Sequence, residues 1–230
     1  MDSSSAISNE AMPSCEIESS RQSGRSGDSR LRWIYRLEPL AAAAALTLAF
    51  PLAVVLGVVI AILSGRSPLI RHTRVGWRGS PLPMLKFRTM WEKDFPRQYI
   101  TLVEDVADAI PTSKQINDPR VVSKFAALCR RYSLDEIPQL YHVVRGQMSF
   151  VGPRPITREE LDKYYGAYEA EVLSLRPGIT GLWQVLGRSR LNYARRMRLD
   201  VILARRASPY LYLRIMLRTV PKVVRGYDAC

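Results

Sequence analysis

Residues 130–140 read Arg-Arg-Tyr-Ser-Leu-Asp-Glu-Ile-Pro-Gln-Leu and set two adjacent carboxylates, Asp135 and Glu136, a few residues behind a pair of arginines. An aspartate is ionised at pH 7, so it can attack as a nucleophile without first losing a proton. A nearby guanidinium such as that of Arg130 holds the carboxylate ionised and grips phosphate oxygens. Carboxylate and cations together suit phosphoryl transfer, where dense negative charge must be neutralised while one oxygen displaces another. The same residues also admit a structural reading. Ser133-x-x-Glu136 fits a capping box, with Asp135 as a first-turn acid favoured by the helix dipole. Pro138 disturbs that reading, because a proline at the fifth helical position costs a hydrogen bond. A helix starting at Pro138 would instead leave Asp135 and Glu136 on the preceding turn, a place from which both can be aimed at a site.

The elements that must position this pair begin with an apolar run. Leu40 to Leu63 is 24 residues without a charge. As a helix it would be roughly 36 Å long, enough for a hydrocarbon core of about 30 Å. Pro51 lies in mid-run, and both flanks are basic: Arg30, Arg32 and Arg36 before, Arg66, Arg71 and Arg74 after. Positive residues prefer the cytoplasmic side. Symmetrical flanks favour a helix–break–helix that enters and leaves on one face; a kinked span is the alternative. Before it, residues 1–30 are rich in Ser, Gly and Arg and read as a disordered basic tail. After it, Arg74 to Ser80 carries turn residues between apolar segments and reads as a hairpin. Residues 91–117 read as a helix and a loop. Residues 156–175 read as helical, with Glu159, Glu160 and Glu169 on the surface, and 176–188 as a Gly/Pro-punctuated loop. Helical sequence then runs to about Arg225, interrupted at Ser208-Pro209. In the last helix Arg214, Arg218, Lys222 and Arg225 lie opposite Leu213, Met216, Leu217, Val220 and Val224. That face either lies on a membrane surface or covers the core.

The expected fold class is α+β and helix-dominated. It comprises the tail (1–30), an N-terminal re-entrant helix-break-helix membrane hairpin (31–66), and a small domain with a short β-hairpin on the cytoplasmic face (67–230). The chain carries 34 Lys and Arg against 21 Asp and Glu, formally +13, which suits an anionic partner: nucleic acid, acidic lipid or phosphorylated substrate. The apolar run and the lack of a recognition module argue against nucleic acid. Cys15, Cys129 and Cys230 are widely spaced, with neither metal-ligand spacing nor a closed disulfide set. They fit a reducing compartment. The N-terminus lacks the form of a cleavable signal peptide. His72 and His142 are isolated and read as structural.

Three further motifs accompany residues 130–140: Leu85-Lys86-Phe87-Arg88-Thr89-Met90, Met148 to Pro155 (Met-Ser-Phe-Val-Gly-Pro-Arg-Pro), and Arg176 to Gln184 (Arg-Pro-Gly-Ile-Thr-Gly-Leu-Trp-Gln), with Gly187-Arg188 just beyond. The turn at Gly152-Pro153-Arg154-Pro155 cannot be helical and should hold Arg154 in one direction. Gly178 and Gly181 permit backbone close to a ligand. In this order the four motifs resemble the bacterial sugar transferase family, small monotopic phosphoglycosyl transferases, over roughly residues 32–227. The resemblance implies transfer of a sugar 1-phosphate from a UDP-sugar to polyprenyl phosphate at the inner membrane, with release of UMP. It makes Asp135 the nucleophile and Glu136 its assistant, with magnesium as cofactor and Asp135 and Glu136 as its ligands. Lys86, Arg130, Arg154 and Arg188 match the family's basic positions and become candidate phosphate contacts, with Arg88, Arg120 and Arg176 behind them. Anionic lipid and a homodimer are the further partners expected. The chain departs from the family at Phe50, where Ser often precedes the proline, at Gln147, where Asp is common, and near Tyr212, where an acidic residue is common. A catalytically silent membrane scaffold for glycan assembly is the alternative from another functional class.

Overall fold

The computed structural model describes residues 14–91, 101–105, 121, 123–187 and 191–226, with side chains described from Ser29 onward. Among these residues the fold is helix-rich α+β with two small sheets. The first helix, α1 (Ser14–Ser64), contains both Pro39 and Pro51. The break expected at Pro51 does not interrupt it. Pro51 is exposed, so only its missing N–H weakens the ladder, and flanking apolar residues carry the helix past it. α1 also reaches back to Ser14, into the stretch read as a disordered tail, because adding residues to an established helix is far easier than starting one.

One stripe of α1 packs on the rest of the chain from Leu31 to Ile60. Leu31, Ile34 and Tyr35 join Val151, Leu175, Leu203 and Ile215. Ala42 joins Leu82, Met84, Val143 and Met148. Leu56 and Ile60, beyond Pro51, join Phe87 and Cys129. Each large apolar side chain buried in this way contributes about 1.5–3 kcal/mol. Glu38 adds a polar tie: its carboxylate accepts from Ser149 Oγ at 2.6 Å, from the Phe150 backbone N–H at 2.9 Å, and from the Tyr212 hydroxyl. The opposite stripe, including Leu40, Leu48, Val55 and Ile62, is exposed. Ser29–Ser64 is long and apolar enough to cross a membrane, and 11% of its most apolar 18-residue window is buried.

The expected hairpin is present. β1 (Leu69–Val75) pairs antiparallel with β2 (Pro81–Phe87), Leu69 opposite Phe87 and Val75 opposite Pro81. A short 3₁₀ turn at Trp77–Gly79 joins them, with Arg78 at φ 55° and Gly79 at φ 80°. β3 (Val103–Asp105) adds in parallel to β1. It is a strand in a stretch read as helix and loop; residues 92–100 and 106–117 lie outside the described residues. Then come α2 (Lys124–Arg131), a 3₁₀ turn at Leu134–Gln139, α3 (Leu140–Val144), β4 (Ser149–Val151), α4 (Arg158–Tyr164), α5 (Glu169–Val172), β5 (Gly178–Thr180), α6 (Leu182–Leu186), α7 (Tyr193–Arg205) and α8 (Pro209–Arg225).

The stretch read as a loop at 176–188 is thus largely β5 and α6. β5 pairs in parallel with β4, Ser149 beside Gly178 and Val151 beside Thr180. Three-residue strands carry too little sequence to show a period, so only the fold reveals them. The glycines here serve backbone contact with one another. A Cβ on Gly152 would lie 2.1 Å from the Arg176 carbonyl oxygen, and one on Gly181 would lie 2.5 Å from the Gly152 carbonyl oxygen. α7 and α8 break where expected: Ser208 Oγ accepts from the Leu211 N–H at 3.2 Å, and Pro209 takes the first turn, where its missing N–H costs nothing.

Candidate active site

Asp135 and Glu136 sit in the first turn of the 3₁₀ segment, just before α3. Ser133 enters it in the left-handed conformation, φ 56°, and its side chain makes no capping bond, so the capping-box reading fails. The chain must turn sharply there, and Pro138 inside the segment is incompatible with a regular α-helical ladder. Asp135 is 9% exposed. It lies close enough to Cys129 on α2 that its charge, after burial, helps push that thiol up to about 11. Glu136 is half-buried, and Lys86 on β2 brings its ammonium to 3.4 Å from Glu136 Oε1. The β-hairpin and the carboxylate turn are thereby locked together. A largely apolar cavity of about 220 Å³ opens beside Glu136, bounded also by Ile137, Thr180, Gln184, Thr219 and Lys222.

The other basic candidates divide. Arg154 leaves the Gly-Pro turn and lies over Trp183 of α6, its guanidinium carbon 5.4 Å from the ring centroid. Arg196 of α7 lies over the same indole at 5.1 Å. Burial and then the charge of Arg154 hold the Arg196 guanidinium below its ordinary value. Two like charges over one ring form a ready site for an anion. Arg130 ends α2, half-buried, in the last turn before the 3₁₀ segment. Arg88 points elsewhere: it is buried and donates to the Ser67 carbonyl at 2.9 Å and to Glu104 at 2.6 Å, which makes it a strut between β2 and β3. Arg176 is caught between Tyr35 of α1 at 4.6 Å and Trp77 at 5.5 Å. Arg120 and Arg188 lie outside the described residues.

Sequence reasoning missed the residues behind the arginines. Glu160, expected on the surface, is buried. Its carboxylate accepts from the Thr157 backbone N–H at 2.8 Å and from the Tyr193 hydroxyl, and pairs with Arg74 at 3.6 Å. The signal was available, since Thr157-x-x-Glu160 is a capping box and both its bonds are made. Asp200 is fully buried on α7 and accepts from the Tyr165 hydroxyl at 3.0 Å. Burial pushes its carboxyl up to about 7, opposed by that hydroxyl and by the backbone N–H and charge of Arg154. Asp200 therefore holds the loop that carries Arg154. His142 is structural, as expected. The Leu85 N–H donates to Nε2 at 3.1 Å, so the ring proton sits on Nδ1 and faces Gln147 Oε1 at 2.8 Å.

For a magnesium ion the chain offers the adjacent carboxylates of Asp135 and Glu136. No group of three His, Cys, Asp or Glu side chains able to hold a metal occurs among the described residues. Magnesium commonly takes one or two carboxylates and completes its shell with water and substrate phosphates, so the pair fits a site shared with a substrate.

The chain is similar to known proteins along most of its length. The family model described as bacterial sugar transferase matches residues 32–226. The chain is 38% identical over 187 residues to the exopolysaccharide production protein ExoY of Rhizobium meliloti, covering 80% of this chain and 82% of that protein. It is 38% identical over 204 residues to a UDP-glucose:undecaprenyl-phosphate glucose-1-phosphate transferase of Caulobacter vibrioides, covering 84% and 71%. It is 32% identical over 182 residues to an undecaprenyl-phosphate galactose phosphotransferase of Salmonella typhimurium, covering 70% of this chain and 34% of that longer protein. The chain belongs to the bacterial sugar transferase family.

Proposed function

We propose that the protein moves a sugar 1-phosphate from a UDP-sugar to polyprenyl phosphate through a covalent intermediate on Asp135. One observation carries the reading: the nearly buried Asp135 carboxylate adjoins Glu136, which pairs with Lys86 and borders a cavity, in a chain with a long exposed apolar helix. In the first step an Asp135 oxygen attacks the phosphorus that bears the sugar. An O–P bond forms, the bond to the bridging oxygen breaks, and UMP leaves with that oxygen. In the second step an oxygen of polyprenyl phosphate attacks the same phosphorus and frees Asp135, leaving a sugar diphosphate lipid. In this reading Lys86, Arg130, Arg154 and Arg196 offset the phosphate charge. Bound magnesium, held by Asp135 and Glu136, would supply further neutralisation of the diphosphate.

α1 supports a membrane placement. Its inner stripe touches the domain from Leu31 to Ile60, about 44 Å of helix at 1.5 Å per residue. A helix bound over such a length cannot carry its ends to opposite bilayer faces without taking the domain's polar surface along. That supports insertion from one face, and the basic flanks make it the cytoplasmic face. The exposed Leu213, Leu217, Val220 and Val224 of α8, with Arg214 and Arg218, suit an anionic lipid surface. The name of the Rhizobium meliloti relative, an exopolysaccharide production protein, supports a role in exopolysaccharide synthesis.

The test is a panel of UDP-sugars given to the full chain in lipid nanodiscs, scored for UMP release and for sugar phosphate bound to protein. Asp135→Asn should abolish both. Full turnover by Asp135→Asn would end the covalent reading.

A further inference from the structure

β2 pairs with β1 along one edge only, and the carboxylate turn packs against β2. The turn and the helix that follows it are fastened to β2 at two neighbouring residues. Ahead of α3, Glu136 takes the Lys86 ammonium at 3.4 Å. Within α3, His142 Nε2 accepts the N–H of Leu85, the residue just before Lys86, at 3.1 Å. His142 is 2% exposed. Its carbonyl accepts the N–H groups of Gln147 and Met148 at 2.9 and 3.1 Å, and its Nδ1–H faces Gln147 Oε1 at 2.8 Å. The ring is therefore pinned at both nitrogens and at its own backbone. Leu85 and Lys86 share one rigid peptide plane, so fixing the Leu85 N–H fixes the point from which Lys86 reaches the carboxylates.

We propose that His142 is a positioning residue for Lys86: its neutral ring clamps β2 to α3 and so sets where the ammonium stands against Glu136 and the phosphates of the donor. The inference rests on the transferase reading above and adds how that site is held and when it lets go. A backbone N–H carries no lone pair, so only an unprotonated Nε2 can accept it. An imidazolium donates from both nitrogens and would turn a second hydrogen toward the Leu85 N–H, which opens the clamp. Burial holds the ring below its ordinary value of 6.5, against the hydrogen bond to Gln147. The clamp is therefore closed at neutral pH and opens only on the acid side of that value. The charged and titratable groups that α1, β2, the turn and α3 itself bring to this region are Glu38, Lys86, Asp135, Glu136, Tyr141 and Arg145. Tyr141 stands edge-on to the ring at 5.6 Å. Both ring nitrogens are already taken, by Leu85 and Gln147.

The experiment follows kcat/KM for UMP release by the full chain in nanodiscs with undecaprenyl phosphate, using UDP-glucose or UDP-galactose, from about pH 5 to pH 8. His142→Phe keeps a ring and loses the acceptor. It should fall about 10–100-fold at neutral pH, the cost of a small misplacement. In a Lys86→Gln background the same change should cost about threefold or less, because the group it positions is gone. His142→Gln keeps an acceptor for Leu85 and does not titrate, so it should stay within about threefold of wild type at neutral pH and lose the fall on the acid side. Gln147→Glu sets a carboxylate on Nδ1–H, favours the imidazolium, and should move that fall up by about one pH unit. NMR of isotope-labelled histidine reads the ring directly: the chain has two histidines, and the signal that His142→Gln removes should be an Nδ1–H tautomer. If His142→Phe does not fold, the Gln147→Glu profile and the tautomer decide. An Nε2–H tautomer, an acid-side fall that Gln147→Glu leaves in place, or a His142→Phe loss just as large without Lys86 overturns the clamp while the transferase reading stands. A wild-type chain that releases UMP from no UDP-sugar overturns the transferase reading, and the role given to Lys86 with it.

Discussion

Replacing Asp200 by asparagine isolates the electrostatic cost of the acid that supports the Arg154 loop. Asp200 is fully buried, and its carboxyl moves from 3.8 to about 7. The folded state therefore binds a proton that the unfolded chain has released. Stability from this group is fully present below the unfolded value and is lost as pH rises toward and through about 7. That change corresponds to about 4 kcal/mol. For a chain of this size it is a fall of roughly 8–16 °C in Tm between about pH 4 and pH 8. Asparagine keeps an oxygen for the Tyr165 hydroxyl and the Arg154 N–H but does not titrate. Melting both proteins in the same detergent across that range isolates the group, because all other titrations cancel in the difference. The Tm of Asp200→Asn minus that of wild type should grow more positive as pH rises. A difference that stays flat would refute the assignment of a buried acid that charges at a cost.

Arg196→Ala should lower kcat/KM for the UDP-sugar by about 10–100-fold in the UMP-release assay, and Arg196→Lys should recover little, because an ammonium lacks the planar fork that stacks on Trp183. Gly152→Ala should cost about 3 kcal/mol or more, or prevent folding, since its Cβ would overlap the Arg176 carbonyl; a circular dichroism melt measures this. With Cys15 and Cys230 changed to serine, Cys129 should resist iodoacetamide at pH 8 until the protein unfolds, because its thiol is buried and pushed up to about 11.

Features set by local chemistry were legible in the sequence. The β1–β2 hairpin follows from turn residues between apolar runs, and the α7–α8 break from Ser208-Pro209. Pro138 was enough to set Asp135 and Glu136 on a turn ahead of a helix. Features set by distant partners were hidden. The parallel β4–β5 pair depends on two glycines 26 positions apart, Gly152 and Gly178, whose backbones must touch. Arg88 and Arg154 look alike in their motifs, yet one is spent on Glu104 and the other stacks on Trp183; only the neighbours decide. Pro51 promised a break, yet the helix runs on through it.

Because α1 supplies part of three hydrophobic clusters, it cannot be cut away without opening the fold. A shortened chain lacking it would expose Leu82, Met84, Val151 and Phe87 to water and lose the acceptor that Ser149 and Tyr212 share. Folding inherits the same constraint: the clusters that follow along the chain close only on the face that α1 presents.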